Sequence, residues 1–226
     1  MVSENLKKVE AKIAETCAKC GRNPSEIRLI AVSKTQTIEA IAEALKAGIK
    51  ELGENKAQEL RSKSELITGD FRWHFIGHLQ TNKVKYIINA AEYIHALDSI
   101  KLAEEINRKA EQINKKQNVF LEIKTSAEET KFGLENEDEI FRISEFCMNS
   151  QNLNLVGLMT MATFTEDWKI IRNCFIKLRE LKDKINKRGY GLTELSMGMT
   201  NDYDLAIEEG ATMLRIGTAI FGEKNY

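Results

Sequence analysis

The 226-residue chain has a single proline, three histidines and four cysteines, and each scarcity removes a class of explanation. With so little proline, and with no Pro-, Gly- or Ser-rich stretch, nothing reads as a linker between domains, and residues 1–226 are expected to form one domain. Four cysteines suit reducing conditions. Cys17 and Cys20 lie in helix-like sequence as packing or surface residues, while Cys147 and Cys174 stand apart without the second close pair of a zinc site, so no metal is expected. His74 and His78 have the spacing of a helical metal pair, but Arg72-Trp73-His74-Phe75-Ile76-Gly77-His78 reads as a strand and its exit, where helical spacing carries no meaning. They and His95 are expected to be hydrogen-bonded or solvent-facing imidazoles.

Charge of one sign is missing as well. Thirty-three Lys and Arg balance 34 Asp and Glu to a formal charge of −1, which leaves no basic excess for nucleic acid or an anionic membrane and points to a small-molecule partner. No apolar run is long enough for a signal peptide or a membrane span, and the polar start Met1-Val2-Ser3-Glu4-Asn5 agrees, so a cytoplasmic protein is expected.

What is present is alternation. A helical pattern over 3–20, with Leu6, Val9, Ile13 and Cys17 at three- and four-residue spacing, precedes eight short apolar runs at 28–33, 49–53, 72–77, 92–97, 119–124, 155–160, 193–197 and 212–216. Between the runs lie amphipathic stretches near 37–47, 55–67, 80–89, 99–115, 135–149, 166–187 and 202–209. The run at 155–160 is nearly continuous in apolar side chains, as for a parallel strand covered on both faces. This order predicts an α/β (β/α)8 TIM barrel with an extra N-terminal helix; a doubly wound open sheet gives the same alternation, but Ser33-Lys34-Thr35-Gln36 stands where a G-x-G-x-x-G would follow the first strand.

A barrel builds its site where strands end, and here those points carry Lys34, Asn55, His78, Asp98, Thr125, Thr160, Ser196 and Arg215 with their neighbours. Desolvation at the end of an apolar strand would favour a neutral, nucleophilic Lys34; on its own segment the plainer reading is a lysine that snorkels past the strand. Ser196, Thr200 and Thr218 offer hydroxyls, and Gly198 and Gly217 admit backbone N–H groups, in the loops after strands seven and eight where barrels often hold phosphate. Tight turns that need glycine would look the same. Asp202 and Asp204 are expected to cap the following helix. Together, an amine and a phosphate cradle suggest pyridoxal 5'-phosphate, a phosphorylated aldehyde.

These segments resemble a known family. Ala31-Val32-Ser33-Lys34, Gly53-Glu54-Asn55-x-x-Gln58-Glu59, Trp73-His74-Phe75-Ile76-Gly77-x-Leu79-Gln80-x-Asn82-Lys83, Ser196-Met197-Gly198-Met199 and Arg215-Ile216-Gly217-Thr218-Ala219-Ile220-Phe221-Gly222 together resemble the YggS/PROSC family of pyridoxal phosphate homeostasis proteins, which is similar to the barrel of alanine racemase. The resemblance implies a Schiff base between Lys34 and the cofactor, with Asn55 beside it. It implies that Ser196, Gly198, Met199, Thr200, Gly217 and Thr218 surround the phosphate, Met199 and the glycines through backbone N–H, and that Arg215 faces the pyridine nitrogen. An arginine there disfavours the pyridinium and makes the cofactor a poor electron sink. The sequence departs from the family pattern at Ile123-Lys124-Thr125-Ser126-Ala127, ahead of Glu128-Glu129-x-Lys131, and at Thr163.

A racemase of this kind takes one of its two bases from a second, β-rich domain that completes the site in a dimer, and that domain is missing here. The expectation is therefore a monomeric carrier of vitamin B6, without catalytic residues, that could serve pyridoxal-phosphate-dependent apoenzymes. The alternatives are an amino-acid racemase using Lys34 as one base, or a phosphate-sugar-binding barrel that forms no imine.

Overall fold

Short apolar runs become strands and amphipathic stretches become helices in the computed structural model, which describes residues 1–126, 128 and 132–223. Among the described residues eight parallel strands close into a barrel in chain order: β1 (Arg28–Val32), β2 (Glu51–Glu54), β3 (Arg72–Phe75), β4 (Ala91–Leu97), β5 (Gln117–Glu122), β6 (Leu153–Met159), β7 (Glu194–Ser196) and β8 (Met213–Ile216). β8 pairs back onto β1 through Ile30 and Arg215, which excludes the open sheet. Around the strands run α1 (Val2–Cys20), α2 (Ile38–Lys46), α3 (Ala57–Leu66), α4 (Val84–Ile87), α5 (Ile100–Glu111), α6 (Glu137–Asn149), α7 (Trp168–Asn186), α8 (Tyr203–Glu208) and α9 (Thr218–Phe221).

The extra helix α1 buries Leu6, Val9, Ile13 and Cys17 and stops at Gly21, which lies in the left-handed region and donates its N–H to Cys17. It packs on α2, α8 and α9 and so covers the seam between the last and first units. Just beyond it, Arg22 donates to the carbonyls of Ile207 and Ala211, both at 2.8 Å. The stretch expected as a helix over 80–89 is instead a 3-10 turn at Thr81–Lys83 followed by the single turn of α4, because β4 begins at Ala91 and leaves room for little more.

Apolar packing is divided by the barrel wall. Outside, Trp73, Phe75, Leu52, Ile94 and Leu158 pack under the helices; inside, Ile30, Phe120, Met159 and Met213 fill the centre. The inside is only partly apolar. Glu51, His74, His95, Ser196 and Arg215 are buried as well, and their pairing connects the amino-terminal end of the barrel to its carboxyl-terminal rim.

Candidate functional site

Lys34 is exposed, two residues beyond the end of β1, as in the plainer reading of a lysine that passes beyond the strand: burial ends at Ser33. The next residue, Thr35, has φ 62°, a left-handed conformation unfavourable for a β-branched side chain. A buried brace holds it there. Lys63 of α3 donates to the Ser33 carbonyl at 2.7 Å, to Glu54 Oε1 at 2.7 Å and to Glu59 Oε1 at 2.8 Å. Glu59 Oε1 in turn accepts the Thr35 N–H at 2.6 Å, and Ser33 Oγ donates to Glu54 Oε1 at 2.6 Å. Burial pushes the Glu54 carboxyl above its ordinary value although Lys63 and Ser33 oppose it. For Glu59, burial is outweighed by the bonds from Lys63 and the Thr35 N–H, and its carboxyl is held low.

A second device crosses the barrel interior. Arg72 Nη1 donates to Glu51 Oε1 at 2.6 Å, and His74 Nε2 meets Glu51 Oε2 at 2.9 Å. His74 Nδ1 meets His95 Nε2 at 2.9 Å, His95 Nδ1 meets Ser196 Oγ at 2.9 Å, and Arg215 Nη1 donates to Ser196 Oγ at 2.7 Å. Burial lowers the pKa of both imidazoles, His95 strongly, so both are neutral at pH 7. Glu51 is held low by His74 and Arg72 against its burial, and an ionised carboxylate only accepts. That assigns every proton in the chain: His74 carries its proton on Nε2, His95 on Nε2, and the Ser196 hydroxyl donates to His95. Stacking of His74 on Tyr93 and of His95 on Phe120 fixes the ring planes.

The end of this chain is Arg215, pinned also by Nη2 to the Thr160 carbonyl at 2.8 Å. Burial brings its pKa down to about 10, opposed by Asp202 and Glu122, so the guanidinium stays charged at neutral pH. Ser196 is thereby placed differently from expectation. Its hydroxyl is bonded to Arg215 and His95 inside the barrel, so it positions the arginine rather than offering a hydroxyl to an anion.

Beside Arg215 the two glycine segments meet. Thr218 Oγ1 donates to Thr200 Oγ1 at 3.1 Å, and the Arg215 N–H donates to the Gly198 carbonyl at 3.0 Å. Gly198 has φ 95°, and a Cβ there would lie 2.7 Å from the Ala206 Cβ, so only glycine fits. Met199 departs from expectation: its N–H donates to Asp202 Oδ1 at 2.6 Å and is not available to an anion. Asp202, at the N-cap of α8, makes no side-chain capping bond there, contrary to the capping role expected of it.

Across the rim, Asn55 is positioned by close packing, since a Cβ on Gly77 would fall 2.2 Å from the Asn55 carbonyl oxygen. Among the described residues, Asn55 Oδ1 and Glu122 Oε2 are buried oxygens without a hydrogen-bond partner. Glu122 escaped the sequence reading, which took Lys124-Thr125-Ser126 as the polar end of that run. Its signal was the alternation with Phe120, which turns both side chains inward. Lys124 instead pairs with Glu135 at 2.6 Å, Thr125 Oγ1 bonds Thr160 Oγ1 at 2.9 Å, and Ala127, Glu129 and Lys131 lie outside the described residues. Thr163 lies beside Cys174, with its Oγ1 3.7 Å from the sulfur. His78 faces Asp98 at 3.4 Å and stacks on Phe132. Clefts of about 380 and 440 Å³, near Lys124 and Lys177 and near Asn82 and Arg108, are not lined by Lys34 or Arg215; the converging polar groups, not cleft size, make the rim the candidate site.

The alanine racemase N-terminal domain family matches residues 5–225. The pyridoxal phosphate homeostasis protein of Aquifex aeolicus is 42% identical over 225 residues, covering 99% of this chain and 98% of that protein. The protein of the same name from Pseudomonas aeruginosa is 38% identical over 226 residues, covering 100% and 96%. Among solved structures, PipY of Synechococcus elongatus PCC7942 with PLP bound matches with a TM-score of 0.87 at 30% identity, covering 98% of this chain and 100% of that one. The alanine racemase from Streptomyces coelicolor A3(2) matches with a TM-score of 0.72 at 17% identity, covering 97% of this chain and 59% of that one, a likeness of fold alone.

Proposed function

Since the chain belongs to the alanine racemase N-terminal domain family and, within it, to the pyridoxal phosphate homeostasis proteins, we propose that it binds pyridoxal 5'-phosphate reversibly at the barrel rim and takes part in regulating its supply. Lys34 would hold the cofactor there through its amine, and the cofactor would supply an aldehyde able to react with that amine reversibly, with loss of water. The observation that carries this reading is convergence: an exposed amine on a braced loop, a pinned guanidinium, and the Gly198–Thr200 and Gly217–Thr218 segments meet at one end of the barrel. The fit is supported by the buried, unpartnered Asn55 Oδ1 just beyond β2 and by Gly198, whose conformation admits no side chain.

In this reading Asn55 lies beside the ring, while Gly198, Thr200, Gly217 and Thr218 hold the phosphate. Arg215 meets the pyridine nitrogen, and Ser196 and Asp202 act through Arg215 and Met199. Holding without turnover is supported by Arg215. A charged guanidinium cannot accept a proton from the ring nitrogen, and its bonds to Ser196 and Thr160 keep it from turning aside. A carrier working as a cytoplasmic monomer, handing cofactor to apoenzymes, follows from this reading; sedimentation of the loaded protein with and without such an apoenzyme tests it.

The decisive test is a visible absorption spectrum of the protein with pyridoxal phosphate before and after borohydride, with Lys34→Ala alongside. A reducible yellow band and a fixed mass increase are expected in the wild type and neither in the variant. A yellow wild type with nothing to reduce would reject Lys34. Chiral chromatography after incubation with single-enantiomer amino acids separates carrier from racemase: sustained interconversion that disappears in Lys34→Ala would overturn the non-catalytic reading.

A further inference from the structure

We infer that Glu122, the last residue of β5, is a further residue that contacts the bound cofactor, turning a protonated carboxyl oxygen to the ring on the edge that Arg215 faces. The inference rests on the reading of the rim as a pyridoxal phosphate site. Phe120 points into the barrel against Ile30, Met159 and Met213, and strand alternation puts Glu122 on the same side, one layer nearer the rim. It is 3% exposed, and among the described residues its Oε2 has no hydrogen-bond partner. A buried carboxyl oxygen left unbonded is costly, and a donor-capable group aimed at a ligand site explains why one persists.

Its charged neighbours come from two sides. Asp98, at the exit of β4, disfavours the ionised form, and Arg215, from β8, favours it. Asp98 is itself raised, chiefly by burial, and faces His78 at 3.4 Å. From β6 and its exit, Met159 and Thr160 bring no charge, and Lys124, two residues past Glu122, is paired with Glu135 at 2.6 Å. Burial, then Asp98, against Arg215, brings the Glu122 carboxyl up to about 7. Below that pH the group can donate to a ring acceptor. Above it, the carboxylate is drawn toward Arg215, competes with the ring for the guanidinium and repels an anionic ligand.

Retention should therefore weaken as Glu122 ionises. The protonated fraction of a group titrating near 7 falls about tenfold between about pH 6 and about pH 8, and affinity should fall by up to the same factor. The test uses pyridoxine 5'-phosphate, which has no aldehyde and so removes Lys34 chemistry from the measurement. Its dissociation constant is measured by equilibrium dialysis for wild type and Glu122→Gln at both pH values, and taking the ratio of the two proteins cancels the ligand's own titration. The ratio should rise about tenfold from the lower to the higher pH, since glutamine donates at both. Glu122→Leu, which cannot donate, should bind weakly with no such pH step. A ratio that stays constant while both proteins bind overturns the role of Glu122 alone. Failure of wild type and variant alike to bind overturns the cofactor site and the inference with it.

Discussion

Replacing Lys63 with methionine should detach the brace beneath Lys34, and the buried geometry sets the size of the effect. The Lys63 side chain is 8% exposed and that of Glu54 is 0% exposed, so removal leaves a buried carboxylate with the Ser33 hydroxyl as its remaining hydrogen-bond donor. Breaking a buried pair from one side costs about 3–5 kcal/mol, against at most about 1 kcal/mol for an exposed pair, so the two cases are readily distinguished. In a domain of this size the loss corresponds to roughly 10 °C in Tm. The pH dependence has a definite sign. Glu54 is already raised by burial, and without Lys63 its folded value rises further; stability is then intact below its unfolded value near 4.5 and is lost as pH rises through the folded one. Glu59, held low by Lys63, adds stability above its unfolded value that the variant forfeits. The Glu54 contribution to the gap between wild type and variant is small near about pH 4.5 and full at neutrality, while the Glu59 contribution persists at that pH and closes only as pH falls further, through its lowered folded value. Urea unfolding followed by circular dichroism, with slopes compared to exclude a changed denatured state, measures it. A gap under about 1 kcal/mol at neutral pH, or one that does not close toward acid, would refute the account of the brace.

Three further outcomes follow from the same geometry. Ser196→Ala leaves the buried Nδ1 of His95 without its donor and frees one arm of Arg215, which should cost about 1–3 kcal/mol in urea unfolding and weaken cofactor retention; Ser196→Thr, which restores the hydroxyl, should recover part of both. Gly198→Ala must accommodate φ 95° and a 2.7 Å approach to Ala206, a cost of about 1–3 kcal/mol, and should release the cofactor while far-UV circular dichroism stays that of the barrel. Lys34→Ala, at an exposed position, should change stability by no more than about 0.5 kcal/mol, so its spectral loss can be read as chemistry rather than unfolding.

Periodicity is local, and what it governs was legible in the sequence. The helical face of Leu6, Val9, Ile13 and Cys17 is the buried face of α1, and each apolar run contains the strand it announces, to within a residue or two at most ends. Bonds across the barrel were not legible. His95 and Ser196 are 101 positions apart, and no pattern around either indicates that they meet. The brace beneath Lys34 was hidden for a related reason: the exposed lysine is readable from its own segment, whereas Glu59, which holds the Thr35 N–H, lies 24 positions after Thr35. At Met199 the competing acceptor, Asp202, lay three residues away and was read as a helix cap, the commoner role for an aspartate at that place.

The distribution of buried polar groups bears on what the rim can do. Lys63, Glu54 and Glu59 hold the backbone on either side of Lys34, and Glu51, His74, His95 and Ser196 hold Arg215, yet the Lys34 amine itself is left in solvent. Catalysis by a lysine base needs that amine desolvated and tuned near the working pH, with a partner group to fix its direction. Reversible capture needs in addition an accessible amine, within reach of both an aldehyde and water, mounted on a rigid backbone. The rigidity sits in the loop and in the arginine and the freedom in the lysine side chain, a division that suits the reversible binding proposed for the rim.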